Sequence, residues 1–380
     1  MVNQEQRPML RFLIVLTIAS VVGLQAWMIL FNNFAVDIVG LNGRQAGVIQ
    51  SVREIPGFLA LLAVYVMLVI REHRLSALAI ILLGAGTAAA GFFPTYLGLA
   101  LTTLLMSFGF HYYETTNQSL TLQYFDRTTS PLIFGRLRSL AAVANIAGGV
   151  LIFVLGRFLS YRAMYLSIGG MVTAVGIWAL FQDPTHRNIA PQHQRMIFRR
   201  RYALYYFLTF LAGARRQIFI AFAVFLLVKI FRFSVQEVTM LFVVNNIINY
   251  FLSPLIGKAI VRFGERRVLS VEYAGLILVF LTYAWTHSKI VVSLMYILDH
   301  ILFNFAIAIR TFFQRIGDRR DIAPSMAVGF TINHIAAVVM PVIGGLLWMV
   351  DYRIPFIAGA FMSLVSLAVV QKIPHLVSEA

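Results

Sequence analysis

Cysteine is absent from all 380 residues. That excludes a disulfide framework, a thiolate metal site and a cysteine nucleophile together. Charge is scarce as well. Asp, Glu, Lys and Arg make up 12% of the chain, against ~25% in an ordinary soluble domain. Acidic residues are the scarcer sign, 15 against 31 Lys and Arg. Catalytic signatures are missing too: there is no Gly-x-Ser-x-Gly, no Walker loop and no His-Glu-x-x-His, and the histidines never reach ligand spacing with one another. A hydrolase, a nucleotide-driven pump and a metal site are therefore not expected, and neither is any cofactor.

What the chain has instead is apolar length. Hydrophobic residues reach 60% and the mean hydropathy is +0.82. A chain this long and this apolar needs lipid as part of its solvent. Runs long enough to span a bilayer cover Leu13 to Val36, Arg44 to Ile70, Leu75 to Phe93, Tyr96 to Phe125, Leu140 to Phe158 and Ala163 to Phe181. A polar stretch, Gln182 to Arg201, follows. Six more runs cover Tyr202 to Phe231, Val235 to Val261, Val268 to Trp285, Ile290 to Phe313, Ile322 to Val350 and Ile354 to Val370. The expected fold is all-α with twelve transmembrane helices. Its division is an N-terminal six-helix bundle (1–181), a basic linker (182–201) and a C-terminal six-helix bundle (202–380). No cleavable signal peptide is expected, because no small-residue cleavage site follows a short apolar core.

The formal charge of +16 would suggest nucleic acid in a soluble protein. Here the basic residues sit in short loops, and no stretch is long enough to form a basic groove or arm. With the N-terminus placed in the cytoplasm, about twenty Lys and Arg fall in inside segments and about seven outside, which is the asymmetry of the positive-inside rule. Both termini are then cytoplasmic. The cluster Arg195, Arg199, Arg200 and Arg201 reads as a topology anchor or a site for anionic lipid.

Between the eighth and ninth runs stands Gly257-Lys-Ala-Ile-Val-Arg262-Phe-Gly264-Glu-Arg266-Arg267. With the six–linker–six layout, this segment resembles the loop motif of the major facilitator superfamily, although Val261 occupies the usual acidic position. The copy usual between helices 2 and 3 is replaced by Arg71-Glu72-His73-Arg74, without glycines. Glycine permits tight turns and close helix approach, and basic residues meet helix C-termini and lipid phosphates. Gly257, Arg262, Gly264 and Arg266 are accordingly expected to act in gating. The resemblance implies a secondary transporter working by alternating access, with substrate bound between two six-helix halves and helices 1, 4, 7 and 10 lining the cavity.

Charge inside a bilayer is expensive and usually faces a cavity or a partner. Such residues fall on helix 2 (Arg53, Glu54), helix 4 (His111, Glu114), helix 7 (Arg215, Arg216, with Gln217) and helix 10 (Asp299, His300, Arg310). Helices 3, 6 and 12 have none in their interiors. Arg53, Arg215, Arg216, Gln217, Asn246 and His300 are candidates for substrate binding. A guanidinium recognises an anion through paired donors. The plainer reading of Arg215 and Arg216 is a structural pair with Asp299 or Glu54. Glu54, His111, Glu114 and Asp299 are candidates for proton coupling, since a carboxyl in low dielectric favours its neutral form and histidine titrates near neutrality. Their plainer reading is a network of satisfied hydrogen bonds. Asn246 and the other asparagines of helix 8, with the Asn333-His334 pair, also suit helix–helix hydrogen bonding. Arg53 and Glu54 precede Pro56-Gly57, a step that kinks a helix and frees carbonyls.

These features predict a proton-coupled symporter or antiporter for a small organic anion or zwitterion, in a bacterial inner membrane. An exporter of amphipathic compounds and a non-transporting receptor or scaffold are the alternatives. Expected partners are the small-molecule substrate, protons and membrane lipids, with no nucleic acid, and the protein is expected to be a monomer.

Overall fold

The computed structural model describes residues 3–41, 43–185, 192, 196–233 and 235–373. Among them every regular element is helical. The helices are α1 (Arg7–Asn33), α2 (Gly43–Phe58, extended through Leu59–Leu62 and Ala63–Val66), α3 (Glu72–Ala90), α4 (Tyr96–Tyr124), α5 (Ser130–Leu155) and α6 (Tyr161–Leu180). The second set is α7 (Arg200–Lys229), α8 (Val235–Phe263), α9 (Glu265–Trp285), α10 (Lys289–Ile316), α11 (Ile322–Val350) and α12 (Ile354–Val370). Each expected apolar run has become one helix. Between α6 and α7, residues 186–191 and 193–195, including Arg187 and Arg195, lie outside the described residues.

Local chemistry sets many of the boundaries. Thr95, Ser160 and Ser288 cap the starts of α4, α6 and α10, each accepting a backbone N–H of the first turn. Gly264 takes φ +79° between α8 and α9, a left-handed conformation that suits glycine. Pro56 lies inside α2, and three residues on the backbone tightens into a 3-10 turn over Leu59–Leu62. The hydroxyl of Thr331 serves this break twice: it donates to the Phe58 carbonyl at 3.0 Å and accepts from the Leu61 amide at 2.9 Å. In α7 a π-helical turn, Ile218–Ala223, follows directly on Arg215-Arg216-Gln217.

Nine of the helices are long and apolar enough to cross a bilayer among the described residues. Of the other three, α12 is shorter and α4 is polar. Thr115, Thr116, Asn117, Gln118, Ser119 and Thr121 of α4 are all buried. Hydroxyls there return to their own helix, as Thr115 to the His111 carbonyl (2.9 Å) and Thr121 to that of Asn117 (2.7 Å). Others meet neighbours: Thr116 bonds Ser76 of α3 at 2.7 Å, and Tyr113 bonds Thr17 of α1 at 2.9 Å. Polar side chains paired inside the protein need no water. Apolar side chains such as Phe153, Leu346 and Phe361 are instead exposed, as lipid contact requires.

The chain forms two compact units. One comprises residues 1–126, 140–197 and 318–331, the other 127–139, 198–317 and 332–380. In the first, α6 approaches α3 so closely that a Cβ on Gly176 would lie 2.8 Å from the Ile81 amide nitrogen. The second is centred on aromatic packing by Phe219, Phe222, Phe280, Tyr283, Tyr296 and Phe356.

Candidate functional site

In the first unit the embedded charges gather where α2 faces α1 and α4. Arg53 Nη2 lies 2.7 Å from Glu54 Oε1, with the two side chains 23% and 25% exposed. Sequence neighbours on a helix point about 100° apart, so this bridge forms only because both side chains are long. The Arg53 guanidinium stands 5.6 Å from the ring centre of Trp27, whose indole N–H donates to Thr103 at 3.1 Å. The Ser107 hydroxyl donates to the Arg53 carbonyl and lies 2.9 Å from His111 Nδ1. His111 is clasped edge-on by Phe110 and Phe330. Glu114, one turn on along α4, is half-buried. Ser107 thus ties the Arg53 backbone to His111, while Glu54 meets the Arg53 side chain directly.

In the second unit Arg215 is 3% exposed, as is Glu272 of α9, and their nearest polar atoms are 3.8 Å apart. The guanidinium also donates to Ser366 of α12 and lies 4.5 Å over the ring of Tyr273. Asp299 is 2% exposed, and its Oδ2 has no hydrogen-bond partner among the described residues. Glu272 is a buried acid that the sequence reading did not single out. It lies near the start of its apolar run, where an acid reads as interfacial. The signal was there, since it is the only charged residue of α9 beyond the first turn. Arg216, the neighbour, is half-buried and Gln217 is buried.

A separate polar chain runs through the same unit. Arg138 Nε donates to Asn304 Oδ1 at 2.8 Å, Asn304 Nδ2 to Asn249 Oδ1 at 2.6 Å, and Asn249 Nδ2 lies 2.7 Å from His300 Nε2. Arginine can only donate. Its direction therefore orients both amides, and His300 Nε2 must accept, which fixes a neutral ring with its hydrogen on Nδ1. Asn246 bonds the Phe242 carbonyl of its own helix at 2.9 Å.

The glycine motif lies in this unit as well. A Cβ on Gly257 would sit 2.5 Å from the Pro131 carbonyl oxygen, and one on Gly135 the same distance from that of Ser253. α5 and α8 therefore cross at two glycines. Beyond them, Arg315 pairs with Glu265 at 2.6 Å, Arg266 donates to Gln371 at 3.1 Å, and the Arg262 guanidinium lies 5.2 Å over Phe263.

The sequence profile described as Major Facilitator Superfamily matches residues 13–315. No curated protein matches the chain. Solved structures do. The E. coli fucose:proton symporter FucP aligns with a TM-score of 0.76 at 12% identity, over 98% of this chain and 100% of that one. The human organic anion transporter MFSD10 gives 0.76 at 12%, over 97% and 100%. The nucleoside transporter NupG gives 0.64 at 16%, over 96% and 99%. At these identities the likeness is one of fold.

Proposed function

Because the chain belongs to the Major Facilitator Superfamily, and so is a multi-pass membrane transporter and not an enzyme, we propose that it moves a small organic anion or zwitterion, coupled to protons, by alternating access. One observation carries this reading. Arg53 and Arg216, permanent cations on spanning helices, are neither fully buried nor fully exposed, while Glu54, Glu114 and Asp299 on spanning helices can become neutral by taking protons. When the acids are protonated, the arginines' charge favours an anion; proton and anion then travel in one cycle. Arg215, enclosed by Glu272, Tyr273 and Ser366, supports its neighbour and does not meet substrate. Gln217 and His300 supply polar contacts to the ligand. Glu54, His111, Glu114 and Asp299 exchange the protons. The halves 1–181 and 202–380 rock about the linker, with both termini in the cytoplasm of a bacterial cell and the transporter acting as a monomer in the inner membrane. A symporter of fucose and protons and a transporter of organic anions share the fold, so its architecture accommodates both chemistries.

The test is a thermal-stabilisation screen of purified protein with carboxylates, phosphates, sugars and amphipathic amines, since a bound ligand raises apparent stability by mass action. Anions or zwitterions are expected to stabilise the wild type, and Arg53→Gln or Arg216→Gln to weaken them at least tenfold. Strong binding of neutral or cationic amphipaths, unaffected by either change, would replace this reading with that of an amphipath exporter.

A further inference from the structure

The polar chain from Arg138 to His300 has an open end. Its two amides are enclosed, Asn249 being 3% and Asn304 4% exposed, while His300 is half-buried. The chain draws on α5, α8 and α10 and lies within one compact unit. The order of donors is held from both sides of Asn304. Its Oδ1 accepts from Arg138 Nε, which can only donate. Its Nδ2 meets Asn249 Oδ1 at 2.6 Å and the His300 carbonyl at 2.9 Å, and a backbone carbonyl can only accept. Turning the Asn304 amide over would set its nitrogen against the guanidinium and its oxygen against the His300 carbonyl. Asn249 then has its Nδ2 left for His300 Nε2, 2.7 Å away, and the ring hydrogen stands on Nδ1.

Nothing among the described residues takes that hydrogen. The ring's aromatic neighbour is Phe219 of α7, with 5.9 Å between centres, and a phenyl ring has no lone pair to offer. A second polar group nearby is also unanswered. Asn245 stands one turn before Asn249 on the same face of α8. It is 1% exposed, and neither its Oδ1 nor its Nδ2 has a hydrogen-bond partner among the described residues. Buried amides are rarely left so. An outward-turned ring donor and an unanswered amide on neighbouring helices suit a polar molecule that arrives from outside the protein.

We infer that His300 is a specificity-determining donor, whose Nδ1–H receives an acceptor oxygen of the transported molecule, a hydroxyl or a carboxylate. Asn249 and Asn304 are the positioning residues, and Arg138 sets their direction. An ammonium group at the same place would set donor against donor, so the contact also rejects. His300 reads the ligand and carries no proton in the cycle. The ligand contact rests on the transport reading above; the tautomer does not.

Nitrogen-15 NMR of the purified, full-length protein labelled in histidine tests this, with the ring hydrogen and water as probes. The signals of His300 are those lost in His300→Gln. In the wild type Nε2 is expected to resonate as a bare nitrogen and Nδ1 as a hydrogen-bearing one, with that hydrogen exchanging with water. Asn249→Asp offers the ring only acceptors and is expected to move Nε2 into the hydrogen-bearing range. Asn304→Asp keeps the bond from Arg138 but has no hydrogen for Asn249, whose amide then turns over; the same shift of Nε2 is expected, although this substitution touches neither ring nitrogen. Both changes preserve shape, and should one fail to fold, the other decides alone. A hydrogen on wild-type Nε2, or an Nε2 that stays bare in the folded variants, overturns the positioning. A wild-type Nδ1–H sealed from water overturns the ligand contact. No substrate enters this measurement, so its failure leaves the transport reading standing, and a failed ligand screen leaves the tautomer standing.

Discussion

Arg138 fixes the protonation state of His300 without touching it. Three hydrogen bonds through Asn304 and Asn249 run in one direction between them, because arginine has no way to accept. A positively charged His300 would need an acceptor where Asn249 offers a donor.

Breaking the first bond in that chain therefore has a stated cost. Arg138→Ala is expected to destabilise the protein by about 1.5–3 kcal/mol, the range for a hydrogen bond from a charged donor. A thermal melt in detergent checks it. An unchanged melting temperature would mean that the chain contributes nothing to stability.

The Arg215–Glu272 pair predicts an asymmetry. Arg215→Gln leaves a carboxyl that can be protonated, and is expected to be tolerated. Glu272→Gln leaves a guanidinium that cannot lose its proton, at a cost of about 3–5 kcal/mol. Adding Arg215→Gln to that change should restore yield. Size-exclusion profiles of the variants decide the matter, and equal yield with and without Arg215→Gln refutes the asymmetry.

Glycines at the α5–α8 crossing should differ sharply from glycines in open space. Gly257→Ala and Gly135→Ala would each place a Cβ 2.5 Å from a backbone oxygen and are expected to cost about 1–3 kcal/mol. Nothing lies within 4 Å of a Cβ on Gly170 in α6, and Gly170→Ala should stabilise by about 0.4–1 kcal/mol. Melting temperatures of the three variants give the comparison.

Thr331 repairs the break in α2, so Thr331→Val, which keeps the shape and loses the hydroxyl, is expected to cost about 1–3 kcal/mol through the stranded Phe58 and Leu61 groups. Thr331→Ser should retain most of that stability. Hydrogen exchange at the Leu61 amide is the direct readout, rising in the valine variant only.

Much of this fold is legible in the sequence because hydropathy and length are local properties. Each apolar run became a helix, and Pro56-Gly57 announced the irregular turn that follows it. Gly257 and Gly264 were readable as points of close approach and of turning. The partners were not. The plainer reading of Arg215 paired it with Asp299 or Glu54, yet its bridge is to Glu272, more than fifty residues away on α9; which helix face meets which is set by packing. The Arg138–His300 chain was equally hidden, because Arg138 reads from sequence as one more basic residue of an inside loop. Gly135 had no motif to mark it, and only its distance to Ser253 gives it a role.

The buried polarity of α4 has a consequence for sidedness. A span whose hydroxyls are answered by its own backbone and by its neighbours looks, residue by residue, less like a membrane helix than its companions do. Omitting one span from a serial count inverts every loop after it. The basic loops of the later helices would then fall on the opposite side from the earlier ones, and the charge asymmetry of the chain would cancel. The even parity of the topology thus includes a span rich in buried polar side chains, and the bonds of Thr115, Thr116 and Thr121 satisfy their hydroxyls without water.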